Sequence, residues 1–377
     1  MLWSLLTTAR GRVSRFVARH KTFIIASSVS SVCLLAGAYY CHLRFWQSAN
    51  ELTQKWQMEM FRRQQMRFFL KQTCTESLQT VKQFLPQIKK RLYEKFALEN
   101  VVRKLRDPEL RNDKKRRQLL WEEAKNLAFA RFFSAILILS LWQLLVFAQL
   151  STIGQDTFIN DIENAELQQE KKRTNRGKTH HRFLSEGIQY FLGDGISKIT
   201  DFVQSQLAKN AFLQSWQVHR MANVKQEEFT HVVHAMSESI QFHRKESVDD
   251  PEKLSMWREF LMLDTINRDP TENEGDFFYR LSSLLQNEYF SQALEKTVQY
   301  ICTHNITEMQ SAIYVDDECE PPLAKLIPQV QAQTARLIAL YEGDDAMSQE
   351  HSQQIMELDT FQAFYETAFY PKEPVAA

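Results

Sequence analysis

The chain has 377 residues, and its 46 Lys+Arg balance its 46 Asp+Glu, so no global basic field is present to recruit nucleic acid. With only 9 Gly and 9 Pro, it lies well below the roughly 7% and 5% usual for these residues, which argues against parallel sheets with glycine-rich phosphate loops and against many-stranded sandwiches. Basic charge is local, at Arg111–Arg117 and Lys171–Lys178, and such runs are ordinarily solvated loops.

The N-terminus opens with a basic arm, residues 1–21, carrying Arg10, Arg12, Arg15, Arg19 and Lys21. No formally charged residue follows from Thr22 to Cys41, where Phe23, Ile24, Ile25, Leu34 and Leu35 supply much of the hydrophobicity. Twenty residues of helix rise about 30 Å, the thickness of a bilayer's hydrocarbon core. Residues 22–43 therefore read as a membrane anchor, with the long polar remainder, 44–377, as one body held by it. A cleaved secretory signal is the competing reading, since Ala36-Gly37-Ala38 has the spacing of a signal peptidase site. The long basic arm and the length of the apolar run favour an uncleaved anchor. Cysteine usage agrees with that choice, because Cys74, Cys302 and Cys319 are too scattered for a disulfide framework.

Beyond the anchor the helical period dominates. Leu70, Cys74, Leu78, Val81, Leu85, Ile88, Leu92 and Phe96 recur at steps of three and four, with Pro86 expected to kink or restart the helix. A second helix is expected from about Leu119. Its stretch Phe132–Ile153 has no charged residue and no polar face, so it either spans a membrane or lies at the centre of a bundle. Its continuity with the segment before it favours the bundle. Asp161–Arg182 reads as a loop or frayed end, Gly193-Asp194-Gly195 as a turn, and Lys209–His243 as another helix. Phe277–Cys302, Leu323–Tyr341 and Ile355–Phe369 complete the set, between loops at Glu246–Glu274. The expected fold is all-α, an elongated bundle of long helices behind a single N-terminal transmembrane helix.

Catalytic patterns are absent: no phosphate-binding loop, no dinucleotide fingerprint and no nucleophile elbow occurs. His231 and His234 stand at i, i+3 on a helix, with Glu227 and Glu228 one turn earlier, but the general base of an H-E-x-x-H site is missing. An ordinary helix face is the plainer reading, and no metal or other cofactor is expected. Asp316–Glu320 lacks the alternating ligands of a calcium loop and reads as acidic capping before the helix that opens at Pro321-Pro322.

Local sequence then becomes distinctive. Leu120-Trp121-Glu122-Glu123-Ala124-Lys125 runs through Phe129-Ala130-Arg131 into the apolar helix and on to Gln149-Leu150-Ser151-Thr152-Ile153-Gly154. Arg19-His20-Lys21, Arg62-Arg63-Gln64, Thr73-Cys74, Leu85-Pro86, Leu192-Gly193-Asp194-Gly195, Pro322-Leu323-Ala324-Lys325 and Tyr365-Glu366 with Phe369 flank it in order. In this colinear set the chain resembles the peroxin-3 family of peroxisome biogenesis factors, except at Asp107–Lys115 and Arg244–Glu274, which match poorly. The resemblance implies a peroxisomal membrane protein with one N-terminal span, a lumenal arm and a cytosolic all-helical domain, monomeric when soluble. It implies a non-enzymatic role, the docking of the import receptor peroxin-19, whose N-terminal amphipathic helix would be received for membrane-protein insertion. It carries the docking role to Trp121, Lys325 and Arg117, with Leu120, Ala124 and Leu323 beside them.

The charge distribution disagrees with that topology, since Lys and Arg are denser before the span than just after it; that rule describes insertion by the secretory translocon, and the resemblance takes precedence. The C-terminal Pro374-Val375-Ala376-Ala377 carries no peroxisomal matrix address. Two other classes fit the same residues: a membrane-anchored tether or adaptor on another organelle, and a membrane-bound enzyme whose one lead is His231 with His234.

Overall fold

The structure is a computed structural model that describes residues 21–108, 113–164, 170–221, 223–240, 258–262, 272–314 and 320–369. The basic arm to residue 20, and the side chains of Phe23, Ile24, Ile25, Leu34 and Leu35, lie outside the described residues, as does the acidic segment 316–319. The chain divides into two compact units, Met1–Phe68 and Phe69–Ala377. Among the described residues there are helices and no strand, so the fold is all-α.

Helix α1, Lys21–Lys95, crosses that division. In the second unit its stripe Cys74, Val81, Leu85, Ile88, Leu92 and Phe96 is buried, as the three–four spacing predicts. Pro86 neither ends nor restarts the helix. Its exposed ring forfeits one backbone hydrogen bond, a cost of about 3 kcal/mol. Each large aliphatic side chain buried on either side of it contributes roughly 1.5–3 kcal/mol, so packing outweighs the break.

After the short α2 (Leu98–Leu105), helix α3 runs from Lys114 to Asn164. It starts five residues before the expected Leu119, because the Asp113 carboxylate accepts the Arg116 backbone N–H as an N-cap. Among the described residues α3 has the one stretch apolar enough to cross a membrane, and 94% of that stretch is buried within the protein. The other helices pack round it: α4 (Glu170–Tyr190), α5 (Ile196–Lys209), α8 (Glu272–Leu285), α9 (Glu288–Ile313), α10 (Leu323–Glu342) and α12 (Asp359–Phe369). Trp142, fully buried at its middle, donates its indole N–H to the Val81 carbonyl of α1 at 3.3 Å and stacks on Phe191 at 5.2 Å. An all-round apolar surface is what the central helix of a bundle requires.

Several expected boundaries move. Gly193-Asp194-Gly195 is no turn: Phe191–Gly195 forms a π-helical step that joins α4 to α5. A Cβ on Gly195 would lie 2.4 Å from the Phe260 carbonyl oxygen, so the glycine serves close backbone approach instead of chain reversal. Part of Asp161–Arg182 is helical, in the end of α3 and the start of α4. Phe277–Cys302 divides at Asn287, whose side chain caps α9 by accepting from Tyr289 N–H. The expected helix Lys209–His243 breaks into α6 (Ala211–Ser215) and α7 (Gln226–Ile240). The expected Ile355–Phe369 starts at the end of an unexpected helix, α11 (Ala346–Met356), and is otherwise α12.

A polar weak point lies where α9, α10 and α11 meet. His351 is buried among the rings of Tyr300, Tyr341 and His304, and neither of its ring nitrogens has a hydrogen-bond partner. Burial, and secondarily the neighbouring His304, lower its pKa from 6.5 to about 4, against a small opposing pull from Glu308. Above pH 6.5 the ring is neutral in both folded and unfolded chains and contributes no pH dependence. Between 6.5 and 4 only the unfolded chain takes the proton, so stability falls with pH by up to about 1.4 kcal/mol per unit. At pH 5 the loss from this residue is about 2 kcal/mol. His351→Leu should remove that slope, which denaturant titrations at pH 7 and pH 5 will read. Equal acid sensitivity in wild type and variant would refute the assignment.

Candidate partner-docking site

The first turns of α3 carry the docking candidates, and helical register sorts them. Leu120 and Ala124 stand four apart on the face that is buried, and Leu323 of α10 is fully buried as well. All three are thus core residues in this structure, Leu120 keeping only 9% exposure, and would lie beneath a surface at this end of the helix instead of on it. Trp121 is half-buried, packed against the edge of the core. Arg117, one turn earlier on the same face, is exposed, as are Arg116 and Gln118. Leu119, which sequence reasoning passed over, is 71% exposed. Its signal was available: an isolated leucine on the charged side of an amphipathic start.

The segment between α6 and α7 ties this end of α3 to the start of α10. The buried Lys125 ammonium donates to the backbone carbonyls of Leu213, at 3.0 Å, and of Trp216, closing the C-terminal end of α6. It also pairs with Glu122 at 2.8 Å, and Glu122 in turn accepts the Val218 backbone N–H at 2.6 Å. Farther along, Val224 N–H donates to the Pro321 carbonyl at 3.0 Å, and Leu323 N–H donates to the Met221 carbonyl at 3.2 Å. Trp216 fills the space beneath, against Phe129 and Phe229, with its indole N–H on Glu228. Lys125 and Glu122 thus hold in place a connector that periodicity alone reads as helix.

The third turn of α3, at Glu122 and Lys125, and the N-terminus of α10 meet this connector, and Lys325 stands exposed in the first turn of α10. Trp121 and Arg117 on α3 and Lys325 on α10 therefore belong to elements joined through the connector's described residues, with Lys325 at a helix N-terminus whose positive dipole end also favours acidic groups.

The histidine pair offers less. His231 and His234 are both exposed, and the His231 ring meets Phe212 edge-on at 5.0 Å. Among the described residues no three His, Cys, Asp or Glu side chains converge as metal ligands do. Cys74 and Cys302 are buried free thiols, and burial pushes their pKa values up to about 11 and about 12, so both stay protonated and inert. The chain matches no protein-family model and no curated protein.

Proposed function

We propose that this chain is a membrane-anchored docking protein of the peroxin-3 type, which receives the N-terminal amphipathic helix of peroxin-19 at the surface around Trp121. The arrangement of Trp121 carries the reading: a half-buried aromatic at the end of the central helix, with Arg117 one turn before it and Lys325 on the adjoining helix start. Helix-in-groove recognition works through a few apolar anchors set in a polar rim. Trp121 supplies the apolar surface, while the lysines and arginines suit a peptide with acidic flanks. Residues 22–43 would hold the chain in the peroxisomal membrane, with the body in the cytosol and no chemical reaction catalysed.

The test is calorimetric titration of the fragment from Arg44 onward with a peptide of the peroxin-19 N-terminal helix. Saturable one-to-one binding is expected, lost when the apolar face of the peptide is replaced by serine. No binding by the folded fragment would overturn the proposal. A reporter carrying residues 1–43 should mark peroxisomes; a reporter confined to another organelle would favour the tether reading.

A further inference from the structure

Between Arg103 and Arg117 the sequence has eight Lys and Arg against three Asp and Glu, in a chain whose totals balance. Seven of the eight fall among the described residues, from Arg103 to Arg106 at the end of α2 and from Lys114 to Arg117 in the first turn of α3, and all seven are exposed. None of these seven side chains has an ion pair or hydrogen bond among the described residues. Elsewhere on the body, surface cations are neutralised by partners distant in sequence: Lys82 by Asp344, Lys89 by Glu342 and Lys95 by Asp201.

The placement costs stability instead of adding it. A helix N-terminus carries the positive end of the dipole, where acids are favourable and cations are not. Helix α2 follows that rule, with Glu99 in its first turn and Arg103 and Lys104 in its last. Helix α3 breaks it: after the Asp113 cap its first turn holds no acid and four adjacent cations, which also repel one another. Nothing among the described residues offsets that cost, and local rules broken without an internal gain mark functional surface. Arg117 lies one turn before Trp121 on the same helix, so the run is continuous with the surface proposed for docking.

We infer that the run Arg103–Arg117 is the electrostatic half of the docking surface: it meets an acidic stretch of the same partner protein and steers that partner toward Trp121. The inference rests on the docking reading. Cations left unpaired in the free protein present their full field to a partner of opposite sign. Such fields raise association rates by about 10–1,000-fold and weaken steeply with salt. Other polyanions fit the run less well. Single-stranded nucleic acid is held by aromatic rings set among the cations, and the run has no aromatic residue. A membrane-inserting face needs several apolar side chains beside its cations, and Leu119 is the only large one exposed among the described residues from 103 to 121.

The test measures association of full-length peroxin-19 with the full chain in nanodiscs of neutral lipid, for wild type and for the combined Lys114→Glu, Lys115→Glu and Arg116→Glu variant. At low ionic strength the triple variant should associate about ten-fold more slowly or worse, with its dissociation rate almost unchanged, and the gap should close as salt is raised. Its melting temperature should hold or rise, because acids replace cations at the helix start; slower association then has no origin in unfolding. Reversing Arg91, Lys209 and Lys296, exposed cations outside the run, should leave the rate within about two-fold. An unchanged rate in the triple variant, or slowing that persists at high salt, would overturn the steering while the docking reading stands. No binding by wild type would overturn both. Loss of the variant's sedimentation with phosphatidylserine vesicles, at an unchanged peroxin-19 rate, would overturn the inference in favour of lipid.

Discussion

Replacing Arg131 with Met should lower the stability of the helical body by about 1.5–3 kcal/mol, the usual worth of hydrogen bonds to a charged group, since Glu99 is 46% exposed and is not left behind as a buried charge. Arg131 is fully buried on the central helix, with both terminal nitrogens partnered and only its Nε left without a hydrogen bond. Its two terminal nitrogens donate to the two Glu99 carboxylate oxygens at 2.6 and 2.7 Å, and one of them also donates to the Phe96 carbonyl. The Tyr93 ring lies against the guanidinium carbon at 4.2 Å. The side chain thus fastens α3 to the end of α1 and the start of α2, where the chain turns between them. Hydrogen bonding to Arg131 is also the leading cause that holds the Glu99 carboxyl below its ordinary pKa. A depressed carboxyl pKa contributes stability above its unfolded value, and that contribution is lost as pH falls through the folded value; Arg131→Met should remove it. Arg131→Lys should recover little, since one ammonium cannot span both carboxylate oxygens and the carbonyl. Denaturant titration of wild type and both variants checks this. A loss below about 1 kcal/mol for Met, or full recovery by Lys, would show that the fork does not hold the joint.

Long-range packing explains which elements were legible in the sequence. The stripe from Cys74 to Phe96 and the apolar stretch of α3 are periodic over many turns, and burial follows that period. Breaks were harder to read, because they depend on partners distant in the chain. Pro86 looks like a boundary, yet buried neighbours on both sides carry the helix through it. Lys209–His243 looks continuous, yet Lys125 and Glu122, about ninety residues earlier, satisfy backbone groups of a non-helical connector there. Gly195 looks like a turn residue, and only the approach of Phe260 explains it. The candidate site follows the same logic. Trp121 stood out by residue type, but neighbours in sequence do not share a face, so Leu120 and Ala124 turn inward while Leu119 turns out. A charged residue inside an apolar period was the overlooked sign, since both Lys125 and Arg131 interrupt the stripe of α3 and both tie it to another element.

Trp121→Ala should weaken binding of the peroxin-19 helix by roughly thirty-fold or more, equivalent to about 2 kcal/mol, the loss typical of an aromatic anchor. Trp121 is packed against the core edge as well as exposed, so the substitution should also reduce folding stability, by roughly 1–2 kcal/mol, less than the 3–5 kcal/mol for a fully buried tryptophan. The two effects separate cleanly. A domain with about 5–15 kcal/mol of stability remains almost wholly folded after such a loss, so a titration of the variant still reports the contact itself. Lys325→Ala removes an exposed rim charge and should act mainly through association rate and salt dependence, with a smaller change in affinity. Leu323→Ala makes the opposite case: Leu323 is fully buried, so its truncation should cost about 2–5 kcal/mol of stability. Titration and melting of the three variants test the site together. If Trp121→Ala leaves affinity within a few-fold of wild type while lowering the melting temperature, Trp121 is a packing residue and partner docking lies elsewhere on the bundle.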